Sequence, residues 1–301
     1  MTDPRSPSGH PHRQAIDLAR FLAAFGIVVA HATVSPRDWV GHLALALFLI
    51  LTAFLAVQSV ARAGGRYGWL RRARRLFLPW VFWSVLYRLL DLAISDDPDR
   101  FIPLREPFSL LVGPAVHLWF LPFVILAMIL VQPVALWVTD AQRLARALGL
   151  LLLGGVGLFW VHGAFILPEP FPQWAFALPL YAYGLLLAPA HRLGRVGWLL
   201  AGMAVLSGVM WWVDPQPWPL TALGAALLFE LFWRLPLRHP ILPWLGSVAF
   251  GIYLMHPFFM LFAYKAFGAD VGWPLKTAVA FGLSWAATLG IQRLPVLRTM
   301  V

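Results

Sequence analysis

The chain has 301 residues, of which 60% are hydrophobic and only 12% are charged. A soluble domain usually carries about 25% charged residues, so this composition excludes an ordinary soluble fold and predicts a protein whose solvent is mostly the lipid bilayer. The sequence contains no cysteine, which excludes disulfides, thiolate metal sites and a cysteine nucleophile.

The formal net charge of +10 does not indicate a nucleic-acid partner. The basic residues fall in short clusters between apolar runs, which is typical of the cytoplasmic loops of membrane proteins. We therefore expect the lipid bilayer, and no nucleic acid, as a partner of this chain.

The apolar runs predict an all-α membrane protein, a bundle of about ten transmembrane helices. Each run is roughly long enough to cross about 30 Å of hydrocarbon at about 1.5 Å per residue. The ten predicted spans are 16–35, 42–61, 76–95, 117–138, 147–166, 174–190, 197–213, 219–234, 244–263 and 274–292.

The distribution of arginine predicts the orientation of this bundle. If the amino terminus is cytoplasmic, 17 of the 23 basic residues fall on the cytoplasmic side, and an even number of spans places both termini there. The cytoplasmic arginines are then Arg5, Arg13, Arg20, Arg62, Arg66, Arg71, Arg72, Arg74, Arg75, Arg143, Arg146, Arg192, Arg195, Arg234, Arg238, Arg293 and Arg298.

The domain organisation predicted from this pattern is simple. We expect a cytoplasmic tail over 1–15, a single transmembrane domain over 16–292 and a second cytoplasmic tail over 293–301. The polar first fifteen residues hold no apolar signal core, so the first span is expected to be an uncleaved anchor. The longest outer loop is Ser95–Ser109.

The first span, "AIDLARFLAAFGIVVAHATVSP", contains three ionisable residues, Asp17, Arg20 and His31. Arg20 and His31 are eleven residues apart, so on a helix they point only about 20° apart and lie about 16 Å apart along the axis. Taken singly, Arg20 fits a snorkelling anchor and His31 a packed side chain. Together they predict a site with a cation at the cytoplasmic face and a possible base deeper in the bundle.

A second basic element, "RRARRLFLPW", leads into the third span. Arg72 and Arg75 have i, i+3 spacing and share a helix face. Four arginines in five residues are explained by topology alone, but guanidinium groups also bind phosphate oxygens bidentately. The pair is therefore a candidate site for a nucleotide diphosphate.

These motifs together resemble the acyltransferase-3 family of integral membrane acyltransferases. An Arg, ten intervening residues and a His follow Ile-Asp-Leu on the first helix, and the R-x-x-R motif is followed by Pro79 and Trp80. "HLWFLP" (His117–Pro122) and "FGIYLMHP" (Phe250–Pro257) are similar to later signatures of the family. The likeness extends from Ile16 to about Leu289.

One position in the second span departs from the family pattern. Members often have Ser-Gly-Phe near its middle, whereas this chain has Thr52 and Ala53 before Phe54. The substitution calls into question the close backbone approach that a glycine would permit there.

The resemblance implies a reaction and a set of donor-binding residues. An acyl group, usually acetyl, would pass from cytoplasmic acyl-CoA to a hydroxyl of a saccharide or glycolipid near the outer face. Arg20, Arg72 and Arg75 would bind the phosphates of the acyl-CoA co-substrate, and His31 would be the general base. No permanently bound cofactor is implied.

Further residues are candidates for binding the acceptor or supporting the site. Packing at a helix end is the alternative for the histidines, and an aromatic interface belt is the alternative for the tryptophan. No histidine shows HxxxH spacing, so we predict no metal site. The candidates are Asp17, His117, Trp119, Tyr253 and His256.

Two other functions fit a bundle of this kind. A transporter of a small solute is one, although the sequence shows neither an inverted repeat nor an acidic residue in the middle of a span. A structural or assembly protein is the other, and it leaves Arg20 and His31 unexplained. The Ala-, Leu- and Arg-rich composition favours a multi-pass protein of a bacterial plasma (inner) membrane.

Overall fold

The computed structural model describes residues 13–33, 38–94, 108–112, 116–268 and 270–301, and these residues form helices and turns without a strand. Within these described ranges, twelve α-helices follow one another in chain order. They are α1 (Gln14–Ala32), α2 (Asp38–Arg62), α3 (Trp69–Ile94), α4 (Ser109–Val112), α5 (Phe120–Ala127), α6 (Val131–Trp137), α7 (Ala141–Ala164), α8 (Phe171–Leu193), α9 (Val196–Val213), α10 (Trp218–Arg234), α11 (Ile241–Phe267) and α12 (Trp273–Gln292).

Short 3₁₀ helices complete the fourth predicted span and the end of the chain. The span consists of a 3₁₀ turn (Val116–Trp119), α5, a second 3₁₀ turn (Met128–Leu130) and α6. Pro122 lies in the first turn of α5, where the missing N–H is tolerated. A last 3₁₀ turn covers Leu297–Met300.

Seven helices within the described residues are long and apolar enough to cross a membrane, which indicates a multi-pass membrane protein. The predicted spans 174–190, 219–234 and 274–292 coincide with helices α8, α10 and α12, which are not among those seven. The count of ten spans and the cytoplasmic location of the termini therefore stay predictions.

Helix α1 lies at the centre of the contacts between helices. It packs against α2, α10, α11 and α12, while α2 also packs against α8 and α10. Helix α3 lies at the edge, against α5 and the last 3₁₀ turn, and it exposes apolar side chains such as Leu78, Val85 and Leu89. An apolar face of this kind suits contact with lipid tails.

The arginine-containing connections meet at one end of the bundle, which we call the basic end. Arg192, in the last turn of α8, donates a hydrogen bond to the carbonyl of Val138, between α6 and α7, at 2.8 Å. The backbone N–H of His239, before α11, donates to the side chain of Gln14 at the start of α1 at 2.6 Å. This clustering agrees with the predicted arrangement of loops, and the membrane side of the basic end stays a prediction.

The predicted tails and loops are only partly described. Residues 1–12, the ends of the first and third predicted spans and nearly all of the outer loop Ser95–Ser109 lie outside the described residues. At the other end of the chain, Trp83 Nε1 donates to the carbonyl of Met300 at 2.8 Å. Part of the predicted tail 293–301 is thus packed on α3.

Helices α2 and α8 approach closely at the position where the chain departs from the family pattern. A Cβ added to Gly184 of α8 would lie 2.6 Å from the carbonyl oxygen of Ile50 and 2.8 Å from the Cβ of Ala53. Gly184 on the opposite helix has no side chain and therefore permits the approach. Ala53 is accommodated without loss of the contact.

We predict that Gly184→Ala destabilises the protein by about 1–3 kcal/mol, because the added methyl overlaps backbone atoms that have no rotamer to move to. Thermal unfolding of the detergent-purified protein measures the effect. Gly208→Ala is the matched control, since a Cβ at Gly208 meets no atom within 4 Å. Equal melting temperatures for the two variants would contradict this packing.

Candidate active site

Helix α1 carries Arg20 and His31 without interruption, as the sequence predicts. His31 is exposed, and so is Leu22, at 43%. The two residues are nine positions apart, so they lie about 180° apart around the helix. Leu22 therefore belongs to another face of α1 than His31.

The face of α1 between Arg20 and His31 is packed rather than open. Ala24 and Ile27 lie on this face, and they are 0% and 5% exposed. Ala24 packs with Val248 and Ile252 of α11. This face of α1 therefore has no open surface for a ligand between Arg20 and His31.

Three predicted site residues meet at the far end of α1 and form what we call the histidine cluster: His31, His117 and His256. The ring centroids of His31 and His256 are 5.1 Å apart, and those of His117 and His256 are also 5.1 Å apart. His117 and His256 are buried, at 4% and 0% exposure, while His31 is accessible. One open imidazole thus lies against a buried pair.

The orientation of His256 follows from the proline beside it. Pro257 has no N–H, so the carbonyl of Tyr253, four residues earlier in α11, lacks its helical donor. His256 Nδ1 lies 2.7 Å from this carbonyl oxygen. A carbonyl can only accept, so Nδ1 carries the hydrogen and Nε2 carries the lone pair.

Two tyrosines and the carbonyl of Leu254 hold His117. Tyr253, a predicted site residue, donates its hydroxyl to the carbonyl of His117. His117 Nε2 donates to the carbonyl of Leu254 at 3.3 Å, and Tyr87 donates to the same oxygen at 2.7 Å. Sequence analysis missed Tyr87; its only sequence signal is a hydroxyl in the interior of an apolar span.

One ring nitrogen of each buried histidine is thus bonded to a backbone carbonyl. Among the described residues, no three His, Asp or Glu side chains are arranged to hold a metal ion. The arrangement suits proton transfer by imidazole.

Asp17 lies beside Arg20 at the basic end of α1. Nη1 of Arg20 and Oδ1 of Asp17 are 3.9 Å apart, and Asp17 is 8% exposed. A Cβ on Gly246 of α11 would lie 2.6 Å from the Cβ of Asp17, so the carboxylate is pressed against that helix. Asp17 is therefore placed to orient Arg20 and is far from the histidine cluster.

The second predicted donor element lies at the start of α3. The guanidinium of Arg72 lies 4.7 Å above the ring of Tyr67, and Arg75 is exposed. Burial raises the pKa of the Tyr67 hydroxyl, and the positive charge of Arg72 opposes this. The convergence of Arg72, Arg75 and Arg20 on one ligand stays a prediction.

Trp119 is packed in this structure. It is 5% exposed, and its ring lies near those of Phe120 and Phe123, with centroids 6.0 Å and 6.1 Å away. Trp119 therefore has no open ring face on which a sugar could stack in this structure, as its predicted role would require.

A second pair of histidines, which the sequence did not single out, lies apart from the predicted site residues. Nε2 of His42 and Nε2 of His162 are 3.3 Å apart, and His162 Nδ1 donates to the carbonyl of Pro172 at 2.8 Å. Phe176 and Trp218 surround the pair. It links α2 and α7 to the start of α8.

Comparison with known proteins identifies the family. The model of a family described as an acyltransferase domain matches residues 13–291, which is nearly the whole chain. No curated protein matches, and no solved structure matches. The matched range includes both arginine motifs and all three residues of the histidine cluster. The chain belongs to the acyltransferase-3 family.

Proposed function

We propose that the protein is an O-acyltransferase of a bacterial inner membrane. It moves an acyl group, in the simplest case acetyl, from cytoplasmic acyl-CoA to a hydroxyl of a saccharide or glycolipid at or near the outer face. The observation that carries the proposal is the accessible His31 beside buried His117 and His256, in a chain whose family transfers acyl groups.

His31 is the general base in this proposal. Its neutral imidazole takes the proton of the acceptor hydroxyl while the hydroxyl oxygen attacks the thioester carbonyl. The new carbon–oxygen bond forms, the carbon–sulfur bond breaks, and the proton passes from His31 to the departing thiolate to give CoA. An imidazole suits this cycle because it accepts and returns a proton near neutral pH.

Arg20, Arg72 and Arg75 are the proposed donor-binding residues at the basic end. Guanidinium groups bind phosphate bidentately, and the distance of about 16 Å along α1 from Arg20 to His31 requires an extended donor. Because Ala24 and Ile27 fill the direct face, the donor arm runs beside α1.

The family does not favour the alternative of a small-solute transporter. A chain that only moved a solute would have no need of a base aimed at a bound hydroxyl. Acyl transfer assigns a role to both ends of α1.

We predict that His31→Ala lowers the transfer rate by about 100-fold or more, because the acceptor hydroxyl loses its base. Binding of acetyl-CoA should stay the same, since His31 lies far from the phosphates. Release of CoA in the presence of a membrane glycan extract measures transfer, and equilibrium binding measures the donor. His239→Ala, an exposed histidine at the basic end, is the control. Transfer by His31→Ala at the wild-type rate would remove His31 from the chemistry.

We predict that the double variant Arg72→Ala with Arg75→Ala raises the KM for acyl-CoA by about 10-fold or more and leaves kcat nearly unchanged, because charged hydrogen bonds to phosphate are lost. The control is Arg71→Ala with Arg74→Ala, which removes the same charge from exposed positions of the same helix. An equal rise in KM for both pairs would show that charge alone, and no specific phosphate site, attracts the donor.

A further inference from the structure

The hydrogen bonds of the histidine cluster leave one fully buried ring nitrogen without a partner. His256 is fully buried, and its Nε2 has no hydrogen-bond partner among the described residues. Since Nδ1 donates to the carbonyl of Tyr253, Nε2 is an acceptor. An unpaired acceptor in a buried site is costly, which indicates that a donor reaches it when the site is occupied.

The neighbouring groups cannot supply that donor. His117 Nε2 donates to the carbonyl of Leu254, so His117 Nδ1 is also an acceptor. The hydroxyls of Tyr87 and Tyr253 already donate to the carbonyls of Leu254 and His117. Within the cluster, the remaining donor is a ring N–H of His31.

The distance between the rings permits such a bond. The centroids of His31 and His256 are 5.1 Å apart, with planes inclined by 39°. His42 and His162, whose Nε2 atoms are 3.3 Å apart, have centroids 5.5 Å apart. The shorter separation of His31 and His256 is therefore compatible with a hydrogen bond from a ring N–H of the accessible His31 to His256 Nε2. Catalytic hydrogen bonds are often completed only when substrate is bound.

We infer that His256 is the positioning residue for His31. Its Nε2 accepts a hydrogen bond from one ring nitrogen of His31, which holds His31 in one tautomer with the other nitrogen free to act as the base. A buried imidazole takes the place that a carboxylate has in a Ser-His-Asp triad. The inference rests on the proposed role of His31 as the general base.

Two substitutions separate this role from a structural one. In His256→Gln the side-chain amide reaches the former Nε2 position, whereas in His256→Asn it reaches only the Nδ1 position. We expect His256→Asn to lower kcat by about 100-fold with an unchanged KM for acetyl-CoA, and His256→Gln to recover at least about 10-fold of that loss. The reverse order would overturn the inference, because it would mean that the bond from Nδ1 to Tyr253 is what matters.

A second readout does not depend on activity. Nitrogen NMR of histidine-labelled protein in nanodiscs reports the tautomer of His31, assigned by comparison with His31→Gln. We expect one tautomer in the wild type and a mixture in His256→Asn. An unchanged His31 signal in His256→Asn would overturn the inference. If the wild type transfers no acyl group, the proposed function fails, and this spectrum still decides the hydrogen bond.

The proline offers an independent test that leaves every side chain of the cluster in place. Pro257→Ala restores a backbone N–H, which competes with His256 Nδ1 for the carbonyl of Tyr253. His256 then samples both tautomers, and we expect kcat to fall by about 10-fold. Pro189→Ala, which restores an N–H inside α8, is the control and should keep the wild-type rate. Equal rates for the two proline variants would contradict the role of the Tyr253 carbonyl.

Discussion

A buried polar group in a membrane protein must find its partner within the protein, and the proposed site depends on this constraint. The lack of an N–H on Pro257 frees the carbonyl of Tyr253, and that carbonyl fixes the ring of His256. The next carbonyl, of Leu254, receives Tyr87 and His117. One turn of α11 thus orients side chains from α3 and from the start of the fourth span.

Close packing of α1 brings the accessible histidine to this turn. Gly246 of α11 leaves room for Asp17, while Ala24 lies against Val248 and Ile252. The same packing closes the face of α1 between Arg20 and His31.

The sequence predicted the helical class and the first helix, because apolar runs leave a clear signal. It also named His31, His117, Tyr253 and His256 as candidate site residues, and their roles stay predictions. It could not predict Tyr87 or the pairing of His42 with His162, since these depend on which helices become neighbours. It also could not show that Gly184 compensates for Ala53 across α2 and α8, or that Trp119 is packed. Such features are set by tertiary contacts. The pattern of residues along one sequence carries little information about those contacts.

Acyl transfer by this chain can be tested with inside-out membrane vesicles that contain the protein. Radiolabelled acetyl-CoA is added at the exposed cytoplasmic face. We predict that label appears on saccharide or glycolipid, with one free CoA thiol released for each acetyl group transferred. We also expect the labelled product to accumulate on the lumenal side. Folded protein that binds no donor and transfers no label would contradict acyl transfer by this chain.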